Sequence, residues 1–176
     1  MRDFLRRSGW VILAMFFVFG SVVLIILSFV FQPDTDEQLA KQTSCTIQPA
    51  VGQEVMAEPE VFKPSGDVTA LAKEDITEGN GQTVKSGDCI TVKYHGTLAN
   101  GTKFDGNFDQ PVALKMRIGV GQVIPGWDQG VVGMKEGGVR RLVIPSNLGY
   151  GAADQETIPP NSDLVFVVKV LKIEKE

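Results

Sequence analysis

The chain has 176 residues and a formal net charge of -4, room for one ordinary domain and an appendage. The charge is unevenly spread: residues 1–9 carry three Arg against one Asp, residues 32–66 carry six acids against two Lys, and the rest is nearly balanced. No Lys or Arg cluster with interleaved aromatics occurs, which argues against a nucleic-acid partner; two cysteines and one histidine, His95, are too few and too scattered for a zinc site of paired ligands.

Taken in chain order, residues 10–31 come first, with no charge across 22 positions. As a helix this run spans about 33 Å, the thickness of a bilayer core. A helix apolar on every side cannot be surrounded by so small a domain. A cleaved signal peptide has a shorter apolar region, roughly 7–15 residues, followed by a small-residue site. Here the run is longer and ends in Ser28-Phe29-Val30-Phe31, so an uncleaved transmembrane helix is expected. Arg2, Arg6 and Arg7 precede it, whereas Asp34, Asp36 and Glu37 follow, which predicts a cytoplasmic tail over 1–9 and a C-terminal domain on the other side of the cell membrane.

Residues 32–66 are polar, contain Pro33, Pro49, Pro59 and Pro64, and read as a flexible acidic linker. Such a linker reaches about 30–35 Å if random. Two short runs within it, Glu54 to Met56 and Val61-Phe62, are candidates for a strand added to the folded domain. Cys45 and Cys89 are expected as free thiols; a bridge between them is the less favoured alternative, because Cys89 opens a strand and Cys45 lies in the linker.

From residue 67 to 176 short β-branched segments alternate with Gly, Asn and Asp turns. Strands are expected at Val68 to Leu71, Asp75 to Glu78, around Thr83-Val84, and at Cys89 to Leu98, where Ile90, Val92 and Tyr94 share one parity and Thr91, Lys93 and His95 the other. That alternation predicts one covered face. Asn100-Gly101 is a tight-turn pair, so Thr102-Lys103-Phe104 begins a partner strand. Further strands are expected at Lys115 to Ile118, Val139 to Ile144 and Leu164 to Ile173. The one helical stretch is Pro125 to Val132, with Pro at its entry and Trp127 and Val131 four apart. The fold class implied is α+β: an antiparallel sheet covered on one face by a short helix.

No Ser, Cys or Thr stands with a His and a carboxylate that would activate it, so covalent catalysis is not expected. Gly119-Val120-Gly121 lacks the spacing of a phosphate loop and reads as turn geometry. His95 reads as an exposed or hydrogen-bonded strand residue. The distinctive feature is a set of apolar and aromatic residues beside glycine turns.

Those residues fall within ordered motifs: Lys93-Tyr94-His95-Gly96-Thr97-Leu98, Asn100 to Asp105, Gly119 to Asp128 through Val123-Ile124-Pro125-Gly126-Trp127, Gly149-Tyr150-Gly151, and Ile158-Pro159-Pro160 through Leu164-Val165-Phe166. Together, over about residues 67–175, they resemble the FKBP-type peptidyl-prolyl cis-trans isomerases. The resemblance does not extend to residues 1–66. It implies a curved antiparallel sheet of five to six strands wrapped around one short helix, with a proline-binding cavity between them. Carried over by motif, the catalytic set is Tyr94, Phe104, Asp105, Val123, Ile124, Trp127, Tyr150 and Phe166: Trp127 as floor, Asp105 and Tyr150 as polar rim, and the Ile124 N–H directed at a substrate carbonyl.

Leu114, Met116 and Ile158 complete the implied substrate contacts, Ile158 on a loop over the mouth. Leu114 and Met116 depart from the family's usual residues yet stay apolar. The Ala152 to Thr157 loop is short and acidic, which alters the contacts a macrolide inhibitor would make. No cofactor or metal is implied. The expected partners are proline-containing polypeptides, such as unfolded or exported chains, with the membrane held by the N-terminal helix. The competing expectation is a membrane-tethered chaperone or adaptor for proline segments with weak or no turnover.

Overall fold

The computed structural model describes residues 45–175; the expected tail, transmembrane helix and first part of the linker lie outside the described residues. Among the described residues no helix is long and apolar enough to cross a membrane. Seven strands are described: β1 (Gln48–Val51), β2 (Ala72–Thr77), β3 (Cys89–Leu98), β4 (Lys103–Gly106), β5 (Val112–Arg117), β6 (Val139–Ile144) and β7 (Leu164–Glu174). One helix, α1 (Pro125–Gly130), lies between β5 and β6 in sequence. Every pairing is antiparallel, in the order β1-β5-β3-β7-β6-β2, with β4 joined separately to β3.

The central pair is β3 with β7, running from Cys89 opposite Glu174 to Leu98 opposite Leu164 with a one-residue register shift between Thr91 and Val92. On its other edge β3 changes partner. Cys89 to Val92 pair with β5, whereas His95 to Thr97 pair with β4. Where the partners part, Asn107 fills the gap: its N–H donates to the Tyr94 carbonyl at 2.9 Å, and its Oδ1 accepts from the Tyr94 N–H at 2.8 Å. The divergence opens a concavity on the sheet's inner face, with Tyr94 at its edge.

Inner-facing Ile90 and Val92 meet Leu142, Ile144, Leu164 and Val168, all fully buried, beneath Trp127 and Val131 of the helical segment. Each such side chain contributes about 1.5–3 kcal/mol on leaving water. The helix is poor in propensity but carries glycines where it touches the sheet. A Cβ on Gly126 would stand 2.4 Å from Ile144 Cγ2, and one on Gly130 would stand 2.8 Å from Leu142 Cδ1. Close packing therefore offsets the propensity cost of roughly 1 kcal/mol per glycine. Arg140 secures the far end, donating to both Asp75 oxygens at 2.6 and 3.0 Å and to the Gly130 carbonyl at 2.9 Å. These hydrogen bonds hold the Asp75 carboxyl below its ordinary pKa.

Three expectations are corrected. First, Cys45 and Cys89 form a disulfide, with Cα atoms 5.8 Å apart. The geometric demand is met because the segment expected to be free linker returns to the sheet. Residues 45–64 form a strap: β1 pairs with the edge of β5, the Gln53 N–H donates to the Pro111 carbonyl, and the Met56 N–H donates to the Phe108 carbonyl. The added strand is thus Gln48–Val51, not Glu54 to Met56 or Val61-Phe62. It raises the sheet above the expected five to six strands.

Second, β3 is covered on both faces. Thr91, Lys93, His95 and Thr97, on the outer parity, are all buried. The strap crosses that side, bringing Met56 Sδ within 3.7 Å of Lys169 Nζ, Glu58 to Lys103, and the Phe62 ring under the Arg141 guanidinium at 4.1 Å. Third, His95 is neither exposed nor hydrogen-bonded: both ring nitrogens are buried without a partner among the described residues, and the Glu58 carboxylate stands 3.8 Å from Nδ1. Elsewhere the first two expected strands of the domain are replaced by the single strand β2, and Thr83 contributes only an isolated bridge to Lys135.

Candidate functional site

Strand β3 places Tyr94 and Gly96 two residues apart on the inner face. A side chain at 96 would strike two rings, since its Cβ would lie 2.8 Å from Phe166 and 2.9 Å from Phe104. The glycine lets those rings close over the strand. Phe166 comes from β7 opposite Gly96, and Phe104 from β4. Trp127 rises from the first turn of α1. The rings meet edge to face: Trp127 with Phe166 at 5.3 Å, Phe104 with Phe166 at 5.5 Å, and Tyr94 with Trp127 at 5.6 Å between centroids. Such pairs add about 0.5–1.5 kcal/mol each beyond burial and fix the walls of the hollow.

The result is a cleft of about 430 Å³ between the inner face and the helix entry. Its lining includes all eight residues of the expected catalytic set, together with Leu114. Met116 and Ile158 do not line it. Met116 shares the parity of Leu114 but lies two residues farther on, opposite Ile90, where the core closes over it completely. Ile158 is drawn inward by a tight turn in which it and Gln155 exchange backbone hydrogen bonds, leaving it 5% exposed instead of over the mouth.

The polar rim is arranged in advance. Tyr94 Oη donates to Asp105 Oδ2 at 2.6 Å, and the other Asp105 oxygen accepts the Gly106 N–H at 2.8 Å. Burial, reinforced by the Asp105 hydrogen bond and charge, pushes the Tyr94 hydroxyl well above the ordinary tyrosine pKa, so it remains a proton donor. Tyr150 is also raised, by burial and then by the charge of Asp105. It follows a 3₁₀ turn, Ser146–Leu148, whose Ser146 N–H donates to Asp163. At the helix entry the Ile124 carbonyl accepts from Trp127 and Asp128, whereas its N–H has no partner among the described residues.

The sequence reading of Gly119-Val120-Gly121 as turn geometry lacks its link to Asp128, and gives no role to Gln122 or Ile47. Gly119 and Gly121, with φ of +80° and +78°, form a turn whose two N–H groups each donate at 2.7 Å to one oxygen of Asp128. This backbone nest, closed by a helix carboxylate, positions Val123 and Ile124. The two glycines followed by an acid in the first helical turn were the available signal. Gln122 and Ile47 also line the cleft. Ile47 had no signal, because it stands in a polar stretch far along the chain from every motif. Among the described residues, no group of three or more His, Cys, Asp or Glu is placed to hold a metal ion.

A hydrophobic slot with an aromatic floor, a fixed carboxylate and a free backbone donor defines a binder of an apolar ring flanked by amide groups. The model of the FKBP-type peptidyl-prolyl cis-trans isomerases matches residues 80–171. The FK506-binding protein of Neisseria meningitidis serogroup A is 51% identical over 105 residues, covering 59% of this chain and 96% of that protein. The FK506-binding protein of Streptomyces anulatus is 42% identical over 119 residues, covering 65% and 96%. The crystal structure of AtFKBP13 superposes with a TM-score of 0.55 at 38% identity, covering 59% of this chain and 93% of that one. That of FkpA from Escherichia coli gives 0.55 at 40%, covering 66% and 53%. The chain belongs to the FKBP-type family and is a peptidyl-prolyl cis-trans isomerase.

Proposed function

We propose that the aromatic cleft is where an X-Pro bond rotates, in an enzyme tethered to the membrane by residues 10–31. The observation that carries the first part is the set of edge-to-face rings around a slot whose rim hydrogen bond is already made. Rotation breaks no covalent bond; its barrier of about 18–20 kcal/mol is the resonance of the planar amide. Twisting toward 90° removes that resonance and leaves the carbonyl less polar. A slot walled by Tyr94, Phe104, Trp127 and Phe166 excludes water and favours the less polar state. The proline ring rests on Trp127, between Val123 and Phe166. The unpartnered Ile124 N–H donates to a substrate carbonyl, and Tyr150 closes the rim. Each ~1.4 kcal/mol of preference for the twisted amide is tenfold in rate.

The tether is supported by the 22 uncharged residues and the Arg-rich tail before them. The disulfide adds a second support, since disulfides persist outside the reducing cytoplasm. The domain then serves unfolded or exported polypeptides on the non-cytoplasmic side. Macrolides of the kind named for its relatives fit the same slot.

The test uses the full chain in detergent with X-Pro peptides varied at the preceding residue. Wild type accelerates cis-to-trans conversion, and Phe104→Ala reduces kcat/KM by about tenfold or more. Peptides that bind without any change in rate would point instead to the adaptor. In intact cells expressing the full chain, external protease removes the domain; cleavage only after lysis would overturn the orientation.

A further inference from the structure

We infer that Ile47 is a specificity-determining residue, a ridge contributed by the strap that reads the side chain next to the substrate proline. Four observations place it there. Ile47 lines the aromatic cleft, although it is separated by more than forty residues from every other lining residue. It is 52% exposed, an apolar side chain left facing solvent at the mouth. Its backbone is held from both sides: Cys45 is bonded to Cys89 and its carbonyl accepts Gln122 Nε2 at 3.2 Å, while Gln48 begins the β1 pairing opposite Lys115. Finally, Ile47 belongs to a second hollow as well, of about 260 Å³, which runs along the far side of Leu114 toward Asn107 and Gln110.

The two hollows share Ile47, Tyr94, Asp105 and Leu114, so they are adjoining compartments with Ile47 at their common wall. An extended chain advances about 3.3–3.6 Å per residue, which brings the neighbour of a bound proline across this wall. The second hollow mixes amide-bearing Asn107 and Gln110 with apolar Val112 and Ala113. That lining suits a passing polypeptide, whose backbone needs hydrogen-bond partners and whose side chain needs apolar cover. The occupant is therefore a polypeptide with a bulky apolar residue beside the proline. This inference rests on the aromatic cleft being the proline site.

The test compares wild type, Ile47→Ala and Val51→Ala as full chains in detergent, with proline peptides whose flanking residues are Gly, Leu, Phe, Lys or Glu. Removing the ridge lowers kcat/KM for Leu- and Phe-flanked peptides by about three- to tenfold, and leaves Gly-flanked peptides within about twofold. Val51, 77% exposed in β1 and outside both hollows, serves as control and leaves all rates unchanged. An Ile47→Lys variant moves the preference toward Glu-flanked peptides. An isomerising wild type with an Ile47→Ala profile parallel to its own would overturn the ridge and spare the cleft. A wild type that isomerises nothing would overturn both.

Discussion

The two faces of β3 solve opposite problems with adjacent residues. On the inner face, Tyr94 gives its hydroxyl to Asp105 and leaves an open slot whose remaining donor, the Ile124 N–H, faces no protein partner among the described residues. On the outer face, Lys93 is wholly buried, and its ammonium donates to the carbonyls of Val112 at 3.0 Å, Asn107 at 2.9 Å and Gln110. Burial lowers the lysine's pKa. Three donors meeting three carbonyls saturate that site. The inner face leaves interactions for a ligand; the outer face uses them up to hold the 107–112 loop, and with it Asn107, which props open the β4/β5 divergence. Function on one side thus depends on a closed polar site on the other.

The largest expected effect separates the faces directly. Lys93→Met removes the ammonium from three carbonyls, leaving that of Asn107 only the Gln110 N–H, and lowers stability by about 3 kcal/mol or more in urea unfolding, because polar groups stripped of a charged donor in an enclosed site are costly. Less than about 1 kcal/mol would mean that the outer site is not what holds the loop. Next, Cys45→Ser removes a bridge across a sequence separation of 44 residues and costs about 2–4 kcal/mol relative to the oxidised protein. Equal denaturation midpoints for oxidised wild type and variant would show that the strap is held without the bridge.

On the inner face, Tyr94→Phe changes stability by about 1 kcal/mol or less, yet lowers kcat/KM by about three- to tenfold by freeing Asp105. A variant that loses stability and keeps its rate would reverse the comparison.

Much of this was legible in the sequence, for a physical reason. β3 and β6 have the limits that alternation and flanking turns indicate, whereas the inner-face aromatics follow from the family resemblance and meet only in the fold, where Gly96 makes room for Phe104 and Phe166. The strap was illegible because what holds it is non-local. Gln48–Val51 includes a proline and pairs at a sheet edge, where proline is tolerated, so periodicity carries no trace of it. Lys93 sat in an alternating pattern that reads as solvent-facing; only the fold of residues 107–112 shows that it is enclosed. Met116 follows from the resemblance and shares the face of Leu114, but two residues farther along β5 the core closes over it.

The smallest effect belongs to His95, beneath the strap with Glu58, Lys103 and Asp109 as its charged neighbours. Burial, aided by Lys103 and opposed by Glu58 and Asp109, holds its pKa below the ordinary 6.5. The folded state therefore disfavours the proton that the unfolded state accepts. The stability this represents is present above pH 6.5 and is lost as pH falls through the folded value. In His95→Leu the stability profile flattens over that acidic window; an unchanged slope in denaturation series from pH 7 to 5 would remove His95 from the account.

The proposed site of bond rotation is the inner face of β3. It is tested most directly by NMR of the full chain in detergent, following the Trp127 indole N–H and the cis/trans exchange peaks of an added X-Pro peptide in the same titration. Exchange is expected to accelerate as the Trp127 signal shifts, with both saturating together and both lost in Phe104→Ala. Accelerated exchange with the Trp127 signal unmoved would contradict this placement.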